Sequence, residues 1–303
     1  MEMRNYRKNS FIFPISLNGK RRYSRYSRYK FFRKRILPPI LSMSYGLYIS
    51  SEGAMSQEIR LQTIANNIAN LETPGFKREL ALQMARHTES VAIGEIGFDT
   101  ELITDIGGGV HTIGTHTEFK QGPIVQTEQK SDLAIQGDGW FVVRDMANGE
   151  QFLTRAGNFV IDRNGNFMSE WGRSRFQLLN TEGEVVAVPP DAKIRNTWHI
   201  SDDGAIVADG LRVGEIALVQ PNNLREMVKA GENVYRLEGE YRALNQEERA
   251  RIRSEHLEMS STNPSTEMIE MIIASRAIET NIKMMHTQDE ATGNLINKVL
   301  RVV

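Results

Sequence analysis

The residues best suited to bind a metal are two of the six histidines, His111 and His116, which lie close together in the sequence. A zinc site needs about four nitrogen, sulfur or carboxylate ligands in a tetrahedral arrangement. The chain has no cysteine, and no convergent set of carboxylates accompanies the pair. We therefore interpret both as loop histidines and expect neither a metal nor another cofactor.

Asp162, Asn164 and Asn166 alternate as the first ligands of a calcium-binding loop do. Such a loop carries glycine at its sixth place and a bidentate glutamate at its twelfth. Here Gly165 takes the fourth place and Arg173 the twelfth. The segment is better interpreted as the tip of a β-hairpin.

Gly137-Asp138-Gly139-Trp140 could suggest a loop that holds phosphate, but no Gly-Lys-Ser or Gly-Lys-Thr follows it. We expect a tight turn before Phe141. Neither a Gly-x-Ser-x-Gly elbow nor a His-Glu-x-x-His motif stands out, and a chain without cysteine cannot use a thiolate. The sequence thus predicts no enzyme and no small-molecule substrate.

Charge is distributed unevenly along the chain. Residues 1–42 hold twelve of the 37 basic residues and one of the 38 acidic ones, which leaves residues 43–303 with 25 basic and 37 acidic residues. Nucleic-acid binding needs clustered Lys and Arg, so only the first region could bind a polyanion. We favour the alternative that the protein starts at Met43 and that this arm is not translated.

No apolar stretch approaches the roughly 18 residues that a membrane span requires. The apolar run Phe11–Leu17 is short and is interrupted by Pro14. We therefore expect neither membrane insertion nor a cleavable secretion signal.

Helical periodicity marks the region that follows the arm. Leu47, Ala54, Leu61 and Ile68 are seven residues apart, and Ile64 and Leu71 adjoin them, which predicts an amphipathic helix over Leu47–Leu71. Thr73-Pro74-Gly75 should end that helix, because proline removes a donor and glycine accepts positive φ. Phe76 would then fold back onto it.

A longer periodic segment closes the chain. Asn263-Pro264-Ser265-Thr266 before Glu267 is typical of a helix N-terminus, and the pattern runs to about Leu300. Its apolar positions form two neighbouring seams, Met271, Ile278, Met285, Thr292 and Val299, and Met268, Ser275, Ile282 and Ile296. Because a narrow apolar stripe cannot bury itself, we expect the two terminal helices to pair as a coiled-coil-like core.

Between the helices the apolar period becomes two, and Asn148-Gly149, Asn164-Gly165, Glu182-Gly183, Asp203-Gly204 and Asp209-Gly210 are hairpin signals. The predicted fold is mainly β, with paired terminal α-helices and an antiparallel all-β domain looped out between them. We expect a basic arm (1–42), a terminal helical domain (43–78 and 255–303), an irregular extended linker (79–116) and the all-β domain (117–254).

Three asparagines, Asn66, Asn67 and Asn70, lie near the end of the first helix. Each costs roughly 0.5 kcal/mol in helix propensity relative to alanine. A single asparagine would be solvated or would cap the helix, whereas three together favour amide hydrogen bonds to a packed neighbour.

Residues 65–78, Ala-Asn-Asn-Ile-Ala-Asn-Leu-Glu-Thr-Pro-Gly-Phe-Lys-Arg, closely resemble the N-terminal signature of the flagellar basal-body rod and hook proteins. Residues 133–141, 152–159 with Asp162 and Gly165, and 267–290 also resemble blocks of that family. The resemblance spans about residues 44–303. The opening Tyr-Gly-Leu-Tyr at 45–48 and the short body resemble the proximal rod type more than the distal type.

The resemblance implies terminal helices that form an inner tube, a β domain in an outer shell, and export through the flagellar type III apparatus to the periplasmic rod without a cleavable signal. The partners would be copies of the chain and other rod and hook subunits, and the assembly would transmit torque from motor to hook. The implied subunit contacts are Leu47, Leu61, Ile64, Asn66, Asn67, Ile68, Asn70, Leu71, Thr73, Pro74, Gly75, Phe76, Met271, Ile278, Ile282, Met285 and Ile296.

Three other interpretations remain open. The chain could be a distal rod or hook-like axial subunit. It could be an adaptor that binds nucleic acid through the basic arm, with binding that weakens steeply as salt is added. It could also be a hydrolase carried on a rod-like scaffold, although no unexplained segment is long enough for a catalytic domain.

Overall fold

The computed structural model describes residues 39–86, 108–171, 174–231, 233–244 and 250–300. The chain divides into two units, residues 1–42 and 43–303. The basic arm lies almost entirely outside the described residues. None of the helices in the described ranges combines the length and the apolar character that crossing a bilayer requires.

Three α-helices are present in these ranges: α1 (Pro39–Ala69), α2 (Pro190–Arg195) and α3 (Pro264–Leu300), and Leu224–Glu226 forms one 3-10 turn. α1 begins eight residues before the predicted Leu47 and ends two residues before Leu71. The chain then turns through Thr73-Pro74-Gly75, where Gly75 adopts φ +69°. A side chain is strained at that angle, so glycine is required for Phe76 to fold back.

The N-terminus of α3 is capped as predicted. Asn263 Oδ1 accepts hydrogen bonds from the backbone N–H groups of Ser265 at 3.0 Å and Thr266 at 3.4 Å. Its carbonyl oxygen accepts from Glu267 N at 3.0 Å, the first bond of the helix. The cap satisfies donors that a free helix end would leave unpaired.

Most of the remaining described chain is β-structure. The strands are β1 (Glu79–Ala85), β2 (Val110–Thr117), β3 (Ile124–Gln126), β4 (Leu133–Gln136), β5 (Trp140–Asp145), β6 (Gln151–Thr154), β7 (Val160–Ile161), β8 (Phe167–Trp171), β9 (Ser174–Leu178), β10 (Trp198–Ile200), β11 (Ala205–Ala208), β12 (Leu211–Glu215), β13 (Leu218–Pro221), β14 (Met227–Gly231), β15 (Val234–Leu237), β16 (Tyr241–Ala243), β17 (Arg251–Ser254) and β18 (His256–Glu258).

The largest sheet has the order β14-β15-β6-β5-β9-β8-β7, and β13 joins β5 to β16. Its pairs are antiparallel, as are β10-β11-β12 and the two-stranded sheets β1-β2, β4-β17 and β3-β18. The prediction of a mainly β, antiparallel fold between two terminal helices is therefore confirmed.

The predicted hairpin signals are also confirmed. Asn148-Gly149 joins β5 to β6, and Asn164-Gly165 lies in the turn between β7 and β8. At that second tip Asp162 Oδ1 accepts hydrogen bonds from the backbone N–H groups of Asn164 and Asn166, each at 2.8 Å. The carboxylate that resembled a calcium ligand thus closes a turn. Gly137–Gly139 forms the bend between β4 and β5.

The β domain has two apolar clusters, one on each face of β5. Phe141 and Val143 belong to the larger cluster, whereas Trp140 and Val142 belong to the smaller one. The alternation of side chains along a strand places neighbours on opposite faces. In the smaller cluster the rings of Phe119, Trp140 and Tyr235 contact one another edge to face, with centroids 5.3 to 5.5 Å apart.

The described parts of the segment 79–116 differ from the prediction of an irregular linker, and residues 87–107 lie outside the described ranges. The segment contains β1 and most of β2, which pair from Glu79↔Thr117 to Ala85↔Val110 with a bulge after Leu82. This hairpin lies along α1: Gln83 Nε2 donates to Ser56 O at 3.2 Å, and the hydroxyls of Ser56 and Thr112 are 3.1 Å apart. Polar contacts attach these strands to α1. Such contacts leave no alternating apolar pattern in the sequence.

Candidate subunit interface

The two long helices contact each other in an antiparallel arrangement. A Cβ placed on Gly46 would lie 2.8 Å from Gln288 Nε2, and one placed on Gly53 would lie 3.2 Å from Asn281 Nδ2. Asn67 Nδ2 donates to Glu267 Oε2 at 3.2 Å. Arg60 forms an ion pair with Glu270 between these levels. The contact positions on α1 therefore recur every seven residues, and their partners on α3 lie at 288, 281, 270 and 267.

Small and polar side chains make the contacts named here, while Met271, Ile278 and Met285 are half-buried at neighbouring positions of α3. Asn67 and Glu267 are buried in this contact, and Ser50 and Ala274 are buried elsewhere on the same helices. Glycine and serine allow close approach of two helix backbones, and no large apolar side chain is needed between them. We call these small and polar contacts the seam, and the pairing of the two helices through apolar stripes stays a prediction.

The predicted apolar residues lie beside this seam. Leu47, Leu61 and Ile68 each follow a seam position of α1 by one residue, and Ile282 follows Asn281 on α3 in the same way. One residue is a rotation of about 100°. In an antiparallel pair, equal rotations bring both sets to the same side.

We call this side of the helix pair the lateral face, and it lies opposite the β1-β2 hairpin. Leu47 and Ile282 are each 40% exposed there, and Ile296 is 51% exposed. Met271, Ile278 and Met285 are half-buried nearer the seam. The lateral face consists of Leu47, Leu61, Ile68, Met271, Ile278, Ile282, Met285 and Ile296.

The other candidate contact residues make contacts within the chain. Ile64, Asn67, Gly75 and Phe76 belong to the junction between the helix pair and the β domain. Leu71, Thr73 and Pro74 are half-buried beside it. Asn66 and Asn70 bond locally, since Asn70 Nδ2 donates to Asn66 O at 2.9 Å and to Asn66 Oδ1 at 3.0 Å. These residues thus shape the subunit in which they lie.

Two chain segments cross at that junction, residues 75–79 and 258–267. Gly75 N donates to Glu258 O at 2.7 Å, and Ser261 N donates to Phe76 O at 3.1 Å. Arg78 N donates to Ser261 Oγ at 3.1 Å. We call this pair of segments the crossing. It joins the end of α1 to the start of α3.

On the helix side of the crossing, Asn67 and Glu267 form a buried polar network. Asn67 exchanges two hydrogen bonds with the backbone of Glu79, at 2.8 and 3.0 Å. Arg78 Nε donates to Glu267 Oε1 at 2.5 Å. Among the described residues, Asn67 is the one of the three asparagines that makes the predicted amide contact to a packed neighbour, and that neighbour belongs to the same chain.

On the β-domain side, Glu258 accepts from three donors. They are Lys77 Nζ at 2.5 Å, Gly122 N at 3.0 Å and Arg155 Nη1 at 3.2 Å. Glu258, Lys77 and Arg155 are all buried. Burial lowers the pKa of Lys77 and of Arg155, and Glu258 offsets part of each change. Two cations thus share one carboxylate.

Sequence reasoning missed the seam residues Gly46, Gly53, Asn281 and Gln288, and the buried charges Lys77, Arg155 and Glu258. A signal for the seam was present, because glycine, asparagine and glutamine recur at seven-residue spacing on the two helices. Nothing in the spacing of the three charges marked them as neighbours, since they lie in separate parts of the sequence.

The histidine pair lies in a strand and not in a loop, because His111 and His116 are part of β2. Within the described ranges, no three His, Cys, Asp or Glu side chains are grouped closely enough to hold a metal ion.

Three family models match the chain. "Flagella basal body rod protein" covers residues 47–77, "Flagellar hook protein FlgE/F/G D1 domain" covers 134–208, and "Flagellar basal body rod FlgEFG protein C-terminal" covers 253–298. The first and last matches contain most of the helix pair and of the crossing, and the middle one covers much of the large sheet.

Two curated rod-protein relatives match over almost their whole length, and a hook protein matches over part of its length. The flagellar basal-body rod protein FlgG of Bacillus subtilis is 32% identical over 276 residues, which cover 84% of this chain and 99% of the relative. The rod protein FlgF of Caulobacter vibrioides is 28% identical, covering 86% and 100%. The hook protein FlgE of Helicobacter mustelae is 34% identical over 53% of this chain and 34% of the relative.

Proposed function

This chain belongs to the flagellar basal-body rod protein family, and from that premise we propose that it joins its neighbours in the rod through the lateral face. It is a structural subunit of the basal body. The observation that carries the proposal is the position of Leu47, Ile282 and Ile296, which remain exposed although the two helices already contact each other.

Burial of these side chains against neighbours would favour assembly by roughly 25 cal/mol for each Å² of apolar surface removed from water. The small, polar seam adds little hydrophobic stabilisation within one chain. The helices would therefore become fully ordered on joining the growing rod, which restrains premature polymerisation.

The partners we propose are copies of this chain and other rod and hook subunits, arranged so that torque passes from motor to hook. The chain would reach the periplasmic rod through the flagellar type III export apparatus, without a cleavable signal. Enzymatic activity and nucleic-acid binding form no part of this role.

Within the rod we propose the proximal position, on the basis of residues 45–48 and the short body. Relatives named FlgF and FlgG both match nearly end to end, so the position needs its own test. If the chain is proximal, its deletion should leave basal bodies that lack the distal rod protein. If the basal bodies of the deletion strain retain a separate FlgF-type protein, the chain belongs to the distal rod instead.

The role itself is tested by isolating hook-basal bodies from the source cells and identifying their proteins by mass spectrometry. We expect peptides of this chain, beginning no earlier than Met43. Absence of the chain from basal bodies that contain the other rod proteins would overturn the proposal. A peptide from residues 1–42 would show that the arm is translated and retained.

A further inference from the structure

We propose that Glu258 is a positioning residue that fixes the angle between the helix pair and the β domain. The importance of that angle rests on the proposed function, because a subunit that transmits torque must not bend between its inner and outer parts. The geometry itself is a property of the single chain.

The crossing directs two consecutive cations to opposite sides. Lys77 bonds to Glu258 on the β-domain side, and Arg78 bonds to Glu267 on the helix side. Both carboxylates come from the C-terminal segment of the crossing. Each half of the subunit is thus tied to the same short stretch of chain.

Three separate parts of the chain converge on Glu258. Lys77 comes from the segment after α1, Gly122 N from the segment before β3, and Arg155 from the residues after β6. Gly75 N donates to the Glu258 carbonyl oxygen. A buried carboxylate with several donors is directional, and water cannot replace one donor by another.

The backbone around Glu258 is tightly packed. A Cβ placed on Gly75 would lie 2.3 Å from Ala156 N, and one placed on Gly122 would lie 2.0 Å from Met259 O. Arg155 extends the contact into the β domain, because its guanidinium lies 5.3 Å from the centre of the Trp140 ring and Nη2 donates to Gly137 O at 2.8 Å. A tilt of the crossing would break these contacts together.

The Glu258 carboxylate is needed because it is bonded to two buried cations. With Glu258 neutral, Lys77 and Arg155 would face each other in a buried site without the carboxylate that bonds to both, and Asp138 acts only on Arg155. Such a pair separates or draws in water, and either change loosens the crossing against the β domain.

The absence of cysteine allows a direct measurement with two introduced spin labels. We place them at Ser265→Cys, exposed in the first turn of α3, and at Ile194→Cys, which is 83% exposed on α2. Electron-electron double resonance then gives the distribution of distances between the two parts of the purified chain. Glu258→Gln is compared with the parent protein and with Val143→Ala, a cavity variant in the core of the β domain.

We expect Glu258→Gln to broaden the distance distribution about twofold, because two uncompensated cations repel each other. Val143→Ala should lower the melting temperature and leave the width unchanged. A Glu258→Gln distribution no broader than that of Val143→Ala would overturn the proposal. Because the measurement uses the isolated chain, its result is separate from whether the chain is found in basal bodies.

Discussion

Glu258 and Lys77 are bonded to each other, yet their removal should affect stability very differently. Glu258→Gln leaves Lys77 and Arg155 without the carboxylate that bonds to both and should lower the free energy of unfolding by about 3–5 kcal/mol. Lys77→Met leaves the neutral pair of Arg155 and Glu258 and should cost only about 1–3 kcal/mol, the value of the two hydrogen bonds that Lys77 donates to Glu258 and to Lys120 O. Burial already disfavours the Lys77 ammonium, as its lowered pKa indicates.

Urea unfolding of the two variants measures this difference. Glu182→Gln, which removes a carboxylate from an exposed turn, is the matched control and should change the free energy of unfolding little. Equal losses for Glu258→Gln and Lys77→Met would contradict the charge balance described for this site.

The buried hydroxyl of Tyr235 predicts a loss of stability in alkali. Burial raises the pKa of Tyr235 strongly, and Glu79 adds to the rise. An unfolded tyrosine ionises near about pH 10. Above that pH the unfolded chain loses a proton that the folded chain keeps, so the free energy of unfolding falls as pH rises.

Tyr235→Phe should remove the part of the fall in the free energy of unfolding at alkaline pH that comes from this residue. The Tyr235 hydroxyl has no hydrogen-bond partner among the described residues, so the same variant should change stability at neutral pH by less than about 1 kcal/mol. Unfolding midpoints measured across the alkaline range would test the difference, with Tyr241→Phe at an exposed site as the control. Parallel pH curves for Tyr235→Phe and the parent protein would disprove it.

At the scale of elements, the close approach of the two helices at Gly53 leads us to expect that a larger side chain there would weaken their pairing. A leucine there must displace Asn281, whose Nδ2 lies 3.2 Å from the position of a new Cβ. We expect a cost of about 1–3 kcal/mol from overpacking and faster amide exchange along α3. Hydrogen exchange with mass spectrometry measures the protection of residues 265–295.

Gln62→Leu is the matched control, since it adds the same side chain at an exposed position of α1. Protection of α3 should be unchanged in that variant. Equal protection in both leucine variants would mean that Gly53 does not set the distance between the helices.

Both long helices were predictable because their apolar residues recur with helical period and their ends carry capping residues such as Asn263. The polar contacts between them were not predictable from apolar spacing, which does not mark glycine or asparagine. Glycine and asparagine have low helix propensity, so Gly53 and Asn281 looked like weak points of a helix. These residues stabilise the structure only through contact with the neighbouring helix, and the local sequence does not specify that contact.

The β domain followed the sequence more closely. Turns such as Asn148-Gly149 and alternating runs such as Trp140–Asp145 identify strands by local chemistry alone. Local chemistry did not identify the hairpin β1-β2, because Gln83 and Thr112 bind to α1 through hydrogen bonds. The cluster of Lys77, Arg155 and Glu258 depends on tertiary packing of three distant segments, which local patterns cannot predict.

For the whole molecule, a charge on the lateral face should block assembly and spare the fold. Ile282 is 40% exposed, so Ile282→Glu should change the stability of the free chain by less than about 1 kcal/mol. In the rod the same carboxylate would be buried without a partner, which is strongly unfavourable. We expect the variant to be absent from isolated basal bodies and its cells to be non-motile.

Thr280→Glu provides the comparison, because Thr280 precedes a seam residue and lies on the opposite side of α3. It introduces the same charge away from the lateral face. Circular dichroism of both purified variants checks that folding is intact, and immunoblots of basal bodies measure incorporation. Normal incorporation of Ile282→Glu would count heavily against the lateral face as the assembly surface.

The antiparallel helix pair also decides where a reporter can be attached. Gly46 faces Gln288, so these two residues lie at one end of the pair, about 32 Å of helix from Asn67 at about 1.5 Å per residue. A fluorescent protein joined beside either helix end would be carried among the packed helices. At the turn Glu182-Gly183, no other described atom lies within 4 Å of a Cβ placed on Gly183. A short epitope inserted there is the way to image the chain in live, swimming cells.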